Sequence, residues 1–377
     1  MTALAISQDH TFIAVGHALG SIHLYSLAKP STPSRSVLPT TLPLVLTGRK
    51  EGHLVGSRIL HLGFVGARHT AIVSSDSTGL AFYHSLGKVL MLASTDIIRM
   101  LGRYPDPTTL PSASDTPTPL PSISNGDESK LTTKSKRPST ILDMAPLPLG
   151  PSPHSSDDHS LVALLTPTKL VVVGLKPTPR TWWRATPSLE TDSSASTSDE
   201  ARTGVLAWYP SFPAESSPQS NGSSEKNEAG DDPLLIFSWG KRVRLVRVQR
   251  SLRKTEEKGS DVEFVETKGW TCDSPVLAIQ WYNAKVSLPC ASLALSFSRH
   301  TPQVVCILTG YHVDVYDITT QQRIGRDSLD LRSMISLNNS SAPSSLSASP
   351  LSYSSTFKTY KRKVFLLVRS FFPVHSI

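Results

Sequence analysis

Cysteine is scarce in this 377-residue chain. There are three, Cys272, Cys290 and Cys306, an odd number with no C-x-x-C spacing. That excludes a disulfide framework and a cysteine-based zinc site, and it fits a reducing compartment. No apolar run approaches the roughly 18 residues that read as a membrane span. The opening MTALAISQDH carries neither the basic nor the long apolar region of a signal peptide. These absences predict a cytoplasmic chain. Charge is thin at 18% of residues, while proline reaches 29, a balance expected of a β-rich domain interrupted by disordered insertions. Helical periodicity is almost absent too, apart from STDIIRMLGRY (Ser94 to Tyr104).

A repeat is present in its place. HTFIAVGHALGSIHLYSL (His10 to Leu27) and HTAIVSSDSTGLAFYHSL (His69 to Leu86) align without a gap. Each reads as an apolar strand, a turn ending in glycine (Gly20, Gly79), and a second strand. Similar hairpins follow at Leu161 to Leu175, turning at Thr-Pro-Thr, at Leu234 to Val248, turning at Gly240, and at Val304 to Ile318, turning at Gly310. Short apolar strands precede some of them: Ile59 to Gly66, Gly204 to Phe212 and Pro275 to Asn283. A lone hairpin is marginal in water, so such units must pack on one another. Strand–hairpin units recurring along a chain are the sequence form of propeller blades. Five are present, and a sixth begins at FKTYKRKVFLLV (Phe357 to Val368).

The fold class expected is therefore all-β, a WD40-like β-propeller, incomplete, with long disordered loops between blades. The expected division is propeller blades over 1–104, a Pro/Ser/Thr-rich insertion over 105–138, a blade over 139–186, a second insertion over 187–232, blades over 233–335, a disordered loop over 336–355 and a truncated blade over 356–377. Segment 286–303 (VSLPCASLALSFSRHTPQ) is neither turn-like nor alternating, and it is expected to be a non-native insertion, a translated intron.

Catalytic signatures are missing. TGRKEGHLVGSR (Thr47 to Arg58) holds Gly, Lys and Ser but not in the order that lets backbone amides and a lysine embrace phosphate. No nucleophile elbow, zinc-protease helix or dinucleotide fingerprint occurs. His53, His61 and His69 recur every eight residues, a spacing that puts no two on one helical turn and reads as strand-end hydrogen bonding rather than metal ligation. Asp9 and Asp76 sit in turns, where aspartate bonds nearby backbone; of Asp314 and Asp317, one is expected to face solvent and the other to cap the strand's exit. The pair Trp182-Trp183 is expected to plug a groove between blades. No catalytic, cofactor-binding or metal-binding residue is assigned, no cofactor is expected, and the chain reads as no enzyme.

A net charge of +8 raises the question of an anionic partner. The dense run is KRVRLVRVQRSLRK (Lys241 to Lys254), in which Arg242 and Arg244 alternate with Val243 and Leu245, as on the solvent face of an exposed strand. The alternative reading is that nucleic acid or anionic lipid headgroups bind this basic strand.

GRKEGHLVGSRILHLGFVGARHTAIVSSDSTGLAFYHSLGKVL (Gly48 to Leu90) resembles one family, vacuolar protein sorting-associated protein 8, the subunit specific to the CORVET endosomal tethering complex. Ala3 to Leu27, Cys272 to Ala284 and Val315 to Ile335 fit the same family. The resemblance implies the N-terminal propeller portion of a tether that acts in vesicle-mediated transport to the vacuole. It also implies an endosomal Rab GTPase and the other CORVET subunits as partners, and a peripheral place on the endosome membrane. No nucleic acid and no small-molecule substrate are expected. The family continues into an α-solenoid and a RING-type zinc domain, which this sequence lacks, so it is expected to be a fragment. No partner-contacting residue can be carried over from the resemblance.

Overall fold

The structure, a computed structural model, describes residues 1–66, 71–89, 92–93, 95–105, 140–150, 153–187, 203–211, 232–250, 262–282, 304–310, 312–318 and 320–328. Nearly all of the expected insertion 105–138, most of 187–232, the segment 286–303, the loop 336–355 and the truncated blade expected over 356–377 lie outside the described residues. The described strands form five four-stranded antiparallel sheets and one two-stranded ribbon. They fall into two compact units, Met1–Ile141 and Leu142–Ile377.

Unit 1 holds two sheets. The first is β1 (Ala3–Ile6), β2 (Phe12–Gly16), β3 (Ile22–Ser26) and β4 (Arg35–Val37). After a five-residue helix α1 (Leu42–Leu46), the second runs β5 (Ile59–Phe64), β6 (Ala71–Asp76), β7 (Ala81–Ser85), then past the ribbon β8 (Lys88–Val89) and β9 (Leu92–Ala93) to β10 (Asp96–Leu101). Each sheet thus takes its strands in chain order, as blades do. The repeat seen in sequence is a repeat of register: Ile13 pairs with Tyr25 and Val15 with His23, and at the matching places Ile72 pairs with His84 and Ser74 with Phe82. Gly20 and Gly79 sit at φ 90° and 85°, a left-handed conformation that a side chain strains. Ala14, Ile22 and Leu24 of the first blade pack with Ile59 and Ile72 of the second. Gly16 permits the closest approach, since a Cβ there would lie 2.6 Å from Ile59 Cγ2.

Unit 2 holds three sheets. They are β11 (Asp143–Pro146), β12 (Leu161–Leu165), β13 (Leu170–Gly174) and β14 (Arg180–Ala185); β15 (Gly204–Tyr209), β16 (Leu234–Trp239), β17 (Arg242–Arg250) and β18 (Val262–Thr271); and β19 (Ala278–Tyr282), β20 (Val304–Leu308), β21 (His312–Asp317) and β22 (Gln322–Ser328). Strands β12, β13 and β16 are buried at every position. That is why they read as continuous apolar runs rather than alternations: both faces of a blade are covered. The first strands β11, β15 and β19 lie side by side, and two apolar clusters fill the spaces between successive sheets.

The sequence expectations meet two differences. Asp96–Leu101 within the helical candidate is strand β10; its Ile-Ile pair satisfies either period over so short a span. The span 187–232 contains β15, which gives the fourth blade its first strand, as the apolar run ahead of that hairpin implies.

Candidate functional site

The densest polar cluster is inside the second blade. Asp76, at the end of β6, accepts at Oδ1 from the amides of Thr78 and Leu80 and from the Thr78 hydroxyl. Its Oδ2 lies 2.7 Å from His53 Nδ1, and His53 Nε2 lies 2.7 Å from Ser74 Oγ. Ser74 Oγ in turn meets His84 Nε2 at 2.7 Å. Asp–His–Ser in this order is the connectivity of a nucleophilic triad. Access decides against that use. Asp76, Ser74 and His84 are fully buried and His53 is 2% exposed, so no substrate reaches the serine. The serine oxygen also faces a second imidazole where a triad would face a carbonyl.

One proton assignment satisfies the cluster: His53 Nδ1–H donates to Asp76, Ser74 O–H donates to His53 Nε2, and His84 Nε2–H donates to Ser74. His84 Nδ1 is buried with no hydrogen-bond partner among the described residues, and the neutral ring places a lone pair rather than a second N–H there. Burial, followed by the neighbouring His53, lowers its pKa from 6.5 to about 3. Asp76 is pulled both ways: burial raises its pKa, and the bonds from His53, Thr78 and Leu80 outweigh burial and hold the carboxyl below 3.8. The arrangement fixes the Gly52–Ser57 loop onto the β6–β7 hairpin and is structural.

Of the three evenly spaced histidines, only His53 enters this cluster; His61 is a half-buried residue of β5, and His69 lies outside the described residues. Asp76 does bond nearby backbone as read, yet its strongest lateral partner, 23 residues away, was not legible from the turn alone. Asp9 behaves as a turn residue, accepting from the Thr11 amide at 3.2 Å.

In the fifth blade, Asp314 is fully buried rather than facing solvent. Arg326 grips it in a fork, Nε to Oδ1 at 2.6 Å and Nη2 to Oδ2 at 2.9 Å, and also bonds Asp273. This two-point geometry ties β21 to β22 and to the loop before β19. Asp317 accepts from the Thr320 amide at 3.5 Å, at the exit of β21. Cys272 is buried and Cys306 half-buried, and burial raises both thiols, Cys306 to about 11, so neither is primed as a nucleophile. Cys290 lies outside the described residues.

Trp183 fills the space between the third and fourth blades as expected, stacked on Phe264 at 5.9 Å and edge-on to Phe237. Trp182 lies instead across Gly174 of its own sheet, with Arg180 3.8 Å above its ring and His159 beside it. Three further tryptophans donate across blade boundaries: Trp208 to Ala145 O, Trp239 to Thr166 O at 2.8 Å, and Trp281 to Ala207 O at 3.3 Å.

Among its described residues, the basic run is not an open stripe, although Arg247 is exposed. Its strand, β17, is third of four, and Val243, Leu245, Val246 and Val248 are all buried. The even positions pack toward the third blade and the odd ones toward the fifth. Arg244 pairs with Glu266 on β18 at 3.2 Å and sits over Trp239. Alternation correctly signalled a strand, but neighbouring blades occupy the face read as solvated.

Thr47 to Arg58, the segment tested and rejected as a phosphate loop, joins α1 to the second blade in unit 1. Lys50 Nζ donates to Pro39 O there, and Glu51 accepts from Tyr104. Among the described residues, no group of three or more His, Cys, Asp or Glu is placed to hold a metal ion, and no helix is long and apolar enough to cross a membrane.

Comparison with known proteins adds the following. The sequence profile of the Vps8 β-propeller family matches residues 1–375. No curated protein matches. Among solved structures, the chain is similar to the Cps50 (Swd1) β-propeller domain of Myceliophteria thermophila, at 7% identity and a TM-score of 0.45, covering 86% of this chain and 72% of that one. It is also similar to a chain of the Mitotic Checkpoint Complex, at 12% identity and a TM-score of 0.42, covering 87% of this chain and 66% of that one. The family match spans nearly the whole sequence, and the five four-stranded sheets have the form it requires: the chain belongs to the Vps8 β-propeller family.

Proposed function

We propose that this chain is a non-catalytic interaction scaffold, the propeller part of a CORVET-type tether acting in endosomal vesicle tethering and protein transport to the vacuole. The family match over residues 1–375 carries the reading. The sealing of its one triad-like cluster supports it, since a scaffold needs binding faces and no accessible nucleophile. Its partners are an endosomal Rab GTPase and the other tethering subunits, and its place is peripheral on the endosome membrane. It takes no nucleic acid and no small-molecule substrate. The division into blades and insertions read from the sequence over 1–335 is proposed with it, except that β15 (Gly204–Tyr209) belongs to the fourth blade.

The test is binding of the chain to an endosomal Rab loaded with a non-hydrolysable GTP analogue or with GDP. Saturable binding to the GTP form alone supports the proposal. Equal binding to both forms, or none, contradicts it. RNA binding whose affinity falls steeply with salt on logarithmic axes would point to a polyanion partner in its place.

A further inference from the structure

Helix α1 buries none of its residues. An isolated five-residue helix does not persist in water on propensity alone. This one is held by its C-terminal loop: the amides of Arg49 and Lys50 both reach Leu44 O, and the Thr47 hydroxyl reaches Pro43 O. The helix is thus fixed with Leu42 and Val45 half-buried while Leu44, at 37%, and Leu46, at 56%, are exposed.

Three more exposed apolar residues are tied to the same place. Leu38 precedes Pro39, whose carbonyl takes Lys50 Nζ. Val55 bonds through its amide to Thr40 O, and Leu19 accepts through its carbonyl from the Gly56 amide. All three are at least 60% exposed. Soluble proteins scatter single exposed leucines freely, but a contiguous set marks a contact surface. The flanking charge is basic in excess, with Asp96 the carboxylate from outside the segment that lines the same concavity as Arg49, Lys50 and Glu51. Residues 38–58 carry Arg49, Lys50 and Arg58 against Glu51 alone, and Arg49 and Arg58 are exposed.

We propose that this surface, α1 with the Leu19, Leu38 and Val55 loops, inserts into an anionic lipid bilayer. The leucines would enter the boundary between headgroups and acyl chains while Arg49 and Arg58 meet the lipid phosphates. A short rigid helix flanked by basic residues suits that interface, where buried apolar area and attraction to anionic lipid add together. The inference deepens the peripheral-membrane part of the proposed function and needs no Rab for its operation. It also relocates the lipid contact from the basic strand β17, whose apolar positions are covered, to a surface whose apolar positions are open.

The experiment is flotation of the chain with vesicles of phosphatidylcholine alone or with about 30% phosphatidylserine, no Rab present. Expected is binding to the anionic vesicles that weakens with salt. Leu44→Ser with Leu46→Ser lowers it by roughly tenfold, and Arg49→Gln with Arg58→Gln by about 25-fold, near fivefold per cation. Because these side chains are exposed, melting of each variant stays at the wild-type temperature. Leu38→Ser with Val55→Ser is the second, independent apolar variant. No binding by wild type, or binding unchanged in all three variants, overturns the proposal. If vesicles bind normally but GTP-loaded Rab does not, the lipid surface stands and the Rab reading fails.

Discussion

Apolar packing joins successive blades in both units of this chain, but the polar and aromatic ties that reinforce it differ. All six tryptophans lie in unit 2, where Trp208, Trp239 and Trp281 each donate to a carbonyl of the preceding blade and Trp183 fills the space between two blades. Unit 1 has none. Its second blade is fastened by the buried chain from Asp76 through His53 and Ser74 to His84. Unit 1 also carries every large exposed hydrophobic residue among those described. Aromatic ties are apolar over most of their area and indifferent to pH, whereas a buried titratable network is strong only while each proton stays where the geometry needs it.

His53→Ala gives the largest break in this contrast. It leaves the Asp76 carboxylate buried without its lateral donor, and the expected loss of unfolding free energy is about 3–5 kcal/mol. Urea denaturation checks it, and a loss below ~1 kcal/mol would show that the network is incidental. Trp239→Phe keeps most of the ring volume but strands Thr166 O, for an expected loss of about 1–3 kcal/mol. Trp281→Phe removes a longer bond at a half-buried site, about 0.5–1.5 kcal/mol. Comparing the two tryptophan variants shows whether the ties act as hydrogen bonds or only as packing. The smallest effect belongs to the surface: Leu44→Ser with Leu46→Ser changes stability by no more than about 0.5 kcal/mol.

The fold was legible in sequence where blades repeat strand–turn–strand, because both strands of each hairpin are apolar and turn at Gly, Pro or Thr. The fourth strands were harder to read. β4 (RSV) and β22 (QRIGRDS) are short or polar, being paired on one edge and hydrated beyond it, so neither period stands out. The buried cluster was half legible. Asp76 announces a turn, but Ser74 and His84 look like ordinary strand polar residues until register brings both beside His53. For the same reason Asp314 read as solvent-facing: its partner Arg326 lies on the next strand, and no local pattern links them. The helix at TLPLVL went unread, since five residues are too few to show a helical period.

The contrast between units has a direct test in acid. His84 has a lower pKa folded than unfolded, so the unfolded chain binds the extra proton as pH falls below 6.5. Its contribution is therefore complete above that pH and is progressively lost toward about 3, while that of Asp76 is lost only below 3.8. The measurement is amide hydrogen exchange of the whole chain from pH 7 down to 4, corrected for intrinsic rates. Expected is a fall in protection of β6 and β7 across that range, with β20 and β21 unchanged, and His84→Phe removing the difference. Equal loss in both units, or none in β6 and β7, would contradict the claim that a neutral buried histidine network holds the second blade.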